Sequence, residues 1–85
     1  MLKVTDAACA HLAEMLTAAP DGMVLRFIYE GDDLVLKLDH EQPTDQVFAH
    51  LSRTVLALDE RVADLLAGKT LDVEDTEDGP QLALQ

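Results

Sequence analysis

The sequence predicts an α+β domain, compact and β-rich, with a mostly antiparallel sheet, one N-terminal helix and one short helix near residues 59–67. Three observations carry that expectation. The stretch "LRFIYEGDDLVLKLD", Leu25 to Asp39, reads as a strand, a tight turn and a returning strand. Two stretches, "TDAACAHLAEML" and "DERVADLLA", open on a capping residue and carry apolar residues three and four apart. The chain is 48% hydrophobic but only 4% aromatic, so its core must be aliphatic, and 85 residues suffice for one domain spanning 1–85.

Leu2, Lys3 and Val4 read as a short strand leading into the first helix, with Thr5 as N-cap and Asp6 in the first turn, where the helix dipole favours an acid. Ala8, Leu12, Met15 and Ala19 form its apolar stripe, widened by Cys9 and Leu16, and "APDG" stops the pattern. In the hairpin, Gly31 and Asp32 as central turn residues set Tyr29 against Leu34, Phe27 against Leu36 and Leu25 against Leu38. A three-residue loop would set Phe27 against Lys37 and scatter the apolar face, so the tighter turn is expected. It opposes Glu30 to Asp33 and Arg26 to Lys37, like charges that cost a few tenths of a kcal/mol or somewhat more per pair.

After the polar connection "DHEQPTDQ" come a short strand around Val47 and Phe48, a loop through Ser52 and Arg53, and a strand "TVLAL". The second helix takes Asp59 as N-cap and Gly68 as terminator, with Val62, Leu65 and Leu66 inward. "KTLDVED" and "QLALQ" close the chain as strands joined by "TEDGP". There is no internal repeat and no low-complexity segment.

Six basic side chains against 17 acidic ones give a formal charge of −11, which repels nucleic-acid phosphates and anionic lipid. The expected partner is a protein with a basic surface, not nucleic acid and not a membrane. No apolar run is long enough to span a bilayer, and Asp6, His11 and Glu14 interrupt what would be a signal peptide's apolar centre, so a cytoplasmic location is expected. A homodimer is compatible with the sequence, although nothing places two copies of Cys9 together.

Few side chains offer chemistry. Cys9 is the only cysteine, so it forms no internal disulfide and cannot alone supply a zinc or iron–sulfur ligand set; the start of the helix slightly favours a reactive thiolate, but its place beside the apolar stripe makes packing the expectation. His11, His40 and His50 lie in a helix, a loop and a strand without metal-ligand spacing, and Ser52 has no Gly-x-Ser-x-Gly context. Glu30, Asp32 and Asp33, with His40 and Glu41 nearby in sequence, could gather a hard cation, but a two-residue turn offers few converging oxygens. A solvated charged turn is the expectation. No catalytic, cofactor-binding or metal-ligating residue is assigned, and the chain is not expected to be an enzyme.

The order and intervals of these pieces resemble the HesB/IscA family, the A-type proteins of iron–sulfur cluster biogenesis. "LKVTDAACAHLAEML" is similar to the family's opening strand and alanine-rich helix; "LRF" with its hairpin and then "VF" follow. "VLALDERVADLLAGKTLDV" is the most specific piece, with a strand ending in Asp59, a short helix, and Gly68 ahead of Leu71 and Asp72 at the family's spacing. The resemblance covers nearly the whole chain and implies a β-rich pseudobarrel with two helices. It does not carry over the family's ligands, a cysteine in a Gly-Cys-Ser-Gly-like hairpin loop and two in a late Cys-Gly-Cys. Here the hairpin turns through "EGDD", and the sequence closes at "GPQLALQ" without either motif. Carboxylates replace the soft thiolate, so a cluster bound in the family's manner is not expected. Three readings follow: an accessory or regulatory protein of the iron–sulfur system, a protein- or small-ligand-binding module that reuses the fold, or weak iron binding through carboxylates.

Overall fold

The computed structural model describes residues 1–85, in the order β1 (Lys3–Val4), α1 (Asp6–Met15), β2 (Met23–Glu30), β3 (Asp33–His40), β4 (Gln46–His50), β5 (Arg53–Leu58), α2 (Glu60–Leu65), β6 (Thr70–Thr76) and β7 (Gly79–Leu84). The strands form two sheets, β1-β6-β7 and β3-β2-β5-β4, which do not close into a barrel. Three pairings are antiparallel, β2 with β3, β4 with β5 and β6 with β7, as a mostly antiparallel architecture requires. Two are parallel, β1 with β6 and β2 with β5, and these had no signature in the local sequence.

The first hairpin takes the expected register, with Tyr29 opposite Leu34, Phe27 opposite Leu36, Leu25 opposite Leu38 and Glu30 opposite Asp33. Gly31 adopts φ +63° at the first central position while Asp32 keeps a negative φ, the pattern of a type II′ turn. Neither like-charge pair is left facing itself. Lys37 forms an ion pair with Glu30, and the Arg26 guanidinium turns to Asp45.

β5 explains the unbroken apolar run "VLAL". It lies inside its sheet between β2 and β4, with both helices packed against it, and Val55, Leu56, Ala57 and Leu58 are all fully buried. A strand covered on both faces has no solvent side to mark with polar residues. α1 packs on β4, β5 and β6 and so spans both sheets, whereas α2 rests on β2 and β5. Leu2, Leu12, Leu16, Leu56, Leu58, Leu66 and Leu71 are the largest fully buried side chains beside Val55, and Phe27 is the one aromatic among the buried residues.

Both helices start at the predicted caps. Thr5 Oγ1 accepts from the Ala8 N–H at 3.1 Å, and Asp59 Oδ1 accepts from the Val62 N–H at 2.8 Å. Both stripes need correction, and α1 ends at Met15, which leaves Ala19 beyond the helix. Ala8, Cys9, Leu12 and Leu16 are buried and span about 100° of α1, which leaves Met15 about 75° from their centre and 45% exposed. In α2, Val62 and Leu66 are buried and Leu65, about 60° from Val62 on the side away from Leu66, is 51% exposed. The helix is also shorter than expected, ending at Leu65, with Gly68 at φ +82° in the turn that follows. No helix is long and apolar enough to cross a membrane.

The capping hydroxyl of Thr5 has a second task. It donates to Asp72 Oδ1 at 2.8 Å, and the same oxygen accepts the Val73 N–H at 2.8 Å, so the start of α1 is tied to β6 across 67 residues of sequence. Those two bonds, the backbone one first, hold the Asp72 carboxyl below its ordinary 3.8. A carboxylate depressed in the folded state stabilises the fold above its unfolded value, and that contribution is lost as the pH falls through the folded one. Urea titrations between about pH 5 and pH 2 should therefore show a steeper loss of stability for the wild type than for Asp72→Asn. Parallel curves would mean that Asp72 contributes nothing through its charge.

Candidate functional site

The hairpin tip that the sequence singles out is open to solvent. Glu30, Gly31, Asp32 and Asp33 are all exposed, and Glu30 is engaged by Lys37. His40 and Glu41 lie at the other end of β3, where His40 pairs with Met23, about 23 Å from Asp33 along an extended strand. Closeness in sequence was misleading, because a strand carries its two ends apart. Nowhere do three or more His, Cys, Asp or Glu side chains gather as a metal would require.

Cys9 sits in α1 with its side chain buried. Burial, and secondarily the Asp6 carboxylate one turn back, push its thiol above the ordinary 9.0, so it stays protonated at neutral pH. His11, His40 and His50 are carried by α1, β3 and β4, and Ser52 occupies an exposed two-residue turn. None of these joins another in a constellation.

The structure brings together a different set. A groove runs from the turn of the first hairpin to the outer face of α2, lined by Tyr29, Gly31, Asp32, Arg61 and Leu65 over about 280 Å3. It continues along α2 as a shallow hollow over Glu60, Arg61, Asp64 and Leu65. Tyr29 is 41% exposed, and with Leu65 it offers two large apolar surfaces at one place. The sequence held a partial signal for this. In a helix of one and a half turns, only one member of the doublet Leu65-Leu66 can point fully inward, so the other must emerge on the flank.

Sequence reasoning also missed the pairing behind the hairpin. Arg26 Nη2 donates to Asp45 Oδ1 at 2.9 Å, with the two side chains 11% and 1% exposed. Asp45 counts as only half-buried as a residue, but its carboxylate is covered. Its other oxygen accepts the Gln42 N–H at 2.8 Å, which closes the connection between β3 and β4.

No protein-family model matches this chain, and no curated protein matches it in sequence. Solved structures do. Escherichia coli SufA, described as involved in the biosynthesis of iron–sulfur clusters, superposes with a TM-score of 0.77 at 23% identity, over 99% of this chain and 83% of SufA. IscA, solved with a [2Fe-2S] cluster, superposes with a TM-score of 0.66 at 21% identity, over 100% of this chain and 84% of IscA. At these identities the likeness concerns architecture: the chain is a small α+β protein with the HesB/IscA-like fold, here carrying a single, buried cysteine.

Proposed function

We propose that this chain is a non-catalytic HesB/IscA-like protein, an accessory or regulatory factor of iron–sulfur cluster biogenesis in the cytoplasm that works through a basic protein partner and holds no cluster through cysteines. The observation that carries the reading is the donor set on a fold like that of SufA and IscA. The hairpin tip presents Glu30, Asp32 and Asp33, hard oxygen donors, and the one thiol is packed in α1 and kept protonated. Cluster iron is held by thiolates, so these residues do not fit a cysteine-ligated cluster. A charge of −11 favours a cationic partner surface and speeds encounter with it.

The test is anaerobic incubation with ferrous iron, sulfide and reductant, followed by desalting. The expected product is colourless, with neither iron nor sulfide retained. A stable chromophore with matched iron and sulfide would overturn the reading and point to Cys9 shared between subunits. Iron retained without sulfide would replace it with iron handling through carboxylates. Affinity capture should then recover cluster-assembly proteins; recovery of none of them would leave a binding module that reuses the fold elsewhere.

A further inference from the structure

The groove between the first hairpin and α2 has a chemistry of its own. Its apolar floor is made by Tyr29 and Leu65, both of which the sequence pattern would have turned toward the core. Its rim carries Asp32, Glu60 and Asp64 against the single cation Arg61. The chain's three ion pairs involve Arg26 and Lys37, so the rim acids are left without a cationic partner. We propose that this groove docks a basic peptide segment of another protein, with an apolar side chain set against Tyr29 and Leu65 and flanking lysine or arginine residues meeting Asp32, Glu60 and Asp64.

Charge decides the occupant. A second copy of this chain would bring −11 to a rim already net negative, and an anionic small molecule would meet three carboxylates for one guanidinium. A lysine- or arginine-rich segment is attracted by the rim, while the exposed apolar pair gives it a reason to settle here and not elsewhere on an acidic surface. Arg61 lies in the middle of the groove and repels such a ligand. Removing it should therefore improve binding, which is the reverse of what a recognition residue would show. The inference rests on the protein-docking half of the function proposed above and not on its iron–sulfur half.

The test uses the whole chain, free of iron, titrated with a short peptide of alternating lysine and leucine and followed by amide shift mapping. Shifts are expected at Tyr29, Gly31, Asp32, Arg61 and Leu65. Glu60→Gln with Asp64→Asn should weaken binding about tenfold, and Leu65→Ser should do so by a similar factor of about ten. Arg61→Gln should tighten binding by roughly threefold or more. Glu74→Gln with Asp75→Asn, an equal charge change on exposed β6 residues outside the groove, should leave the affinity within about twofold. Since Glu60, Arg61, Asp64 and Leu65 are all exposed, the variants keep the core intact, and the dispersion of their spectra verifies it. Shifts spread over the acidic surface, equal weakening by both acid pairs, or weaker binding of Arg61→Gln would each overturn the proposal. So would concentration-dependent shifts at the same residues without peptide, which would make the groove a contact between copies. A cluster found by reconstitution would leave this result untouched, whereas a titration without shifts would overturn the docking proposal and leave the cluster result untouched.

Discussion

Replacing Asp45 by alanine should cost about 3 kcal/mol of stability, the scale at which removing one member of a buried ion pair strands the other. At this chain length that lowers the melting temperature by more than about 10 °C. The carboxylate is 1% exposed and carries two partners, Arg26 Nη2 at 2.9 Å and the Gln42 N–H at 2.8 Å. Without it the Arg26 guanidinium, 11% exposed, keeps only Asp39 at 3.9 Å, and its Nε is already covered and unpartnered. Asp45→Asn still accepts the Gln42 N–H but loses the charge, so it should fall between the wild type and Asp45→Ala. The double variant Arg26→Met with Asp45→Leu should recover most of the loss, because it removes both desolvated charges together with the orphaned Nε. Thermal melts and urea titrations of the four proteins would decide the matter. If Asp45→Ala loses less than about 1 kcal/mol, the pair behaves as an exposed one and the connection between β3 and β4 is held by other contacts.

Changing Leu51-Ser52 to Asn-Gly should stabilise the protein by about 1 kcal/mol, a gain of roughly 4–8 °C in melting temperature. Both residues sit at positive φ, +51° and +68°, between the paired ends His50 and Arg53, as a type I′ hairpin turn requires. Each non-glycine residue held there is strained by about 1–2 kcal/mol, and asparagine and glycine relieve most of that. Greater freedom of glycine in the unfolded chain returns about 0.5–1 kcal/mol of the gain. Leu51 is 87% exposed, so little packing is lost with it. Equal stability of the two proteins would show that the turn relaxes in solution. A loss would show that Leu51 is covered there by something else, which a dependence on protein concentration would reveal.

How much of this was legible in the sequence follows from how far apart the interacting residues lie. Helix caps act over three residues, and so Thr5 and Asp59 could be assigned from sequence and are found in place. Hairpin register follows from turn length and the two-residue period of side chains, and so the pairing of Leu25 to Glu30 with Leu38 to Asp33 follows from the local sequence and is found in the fold. The inward face of a short helix is less secure. Met15 and Leu65 sit on the flanks of their stripes, and neighbouring strands decide which flank is covered. The groove was legible only in part for the same reason: the sequence marks Asp32 in the hairpin turn, but Arg61 and Leu65 come from α2, about thirty residues further along the chain.

Composition and near neighbours in the chain set the α+β class, the aliphatic core, both helix starts and the first hairpin, because each depends on the residue types present or on residues within a few positions of one another. The division into two sheets, the parallel pairings of β1 with β6 and β2 with β5, the Arg26–Asp45 pair 19 residues apart and the Thr5–Asp72 bond 67 residues apart emerge only in the folded chain. These depend on which buried surfaces meet after collapse. Non-directional hydrophobic burial selects the strands that come together, and the polar groups carried inward must then find partners within reach.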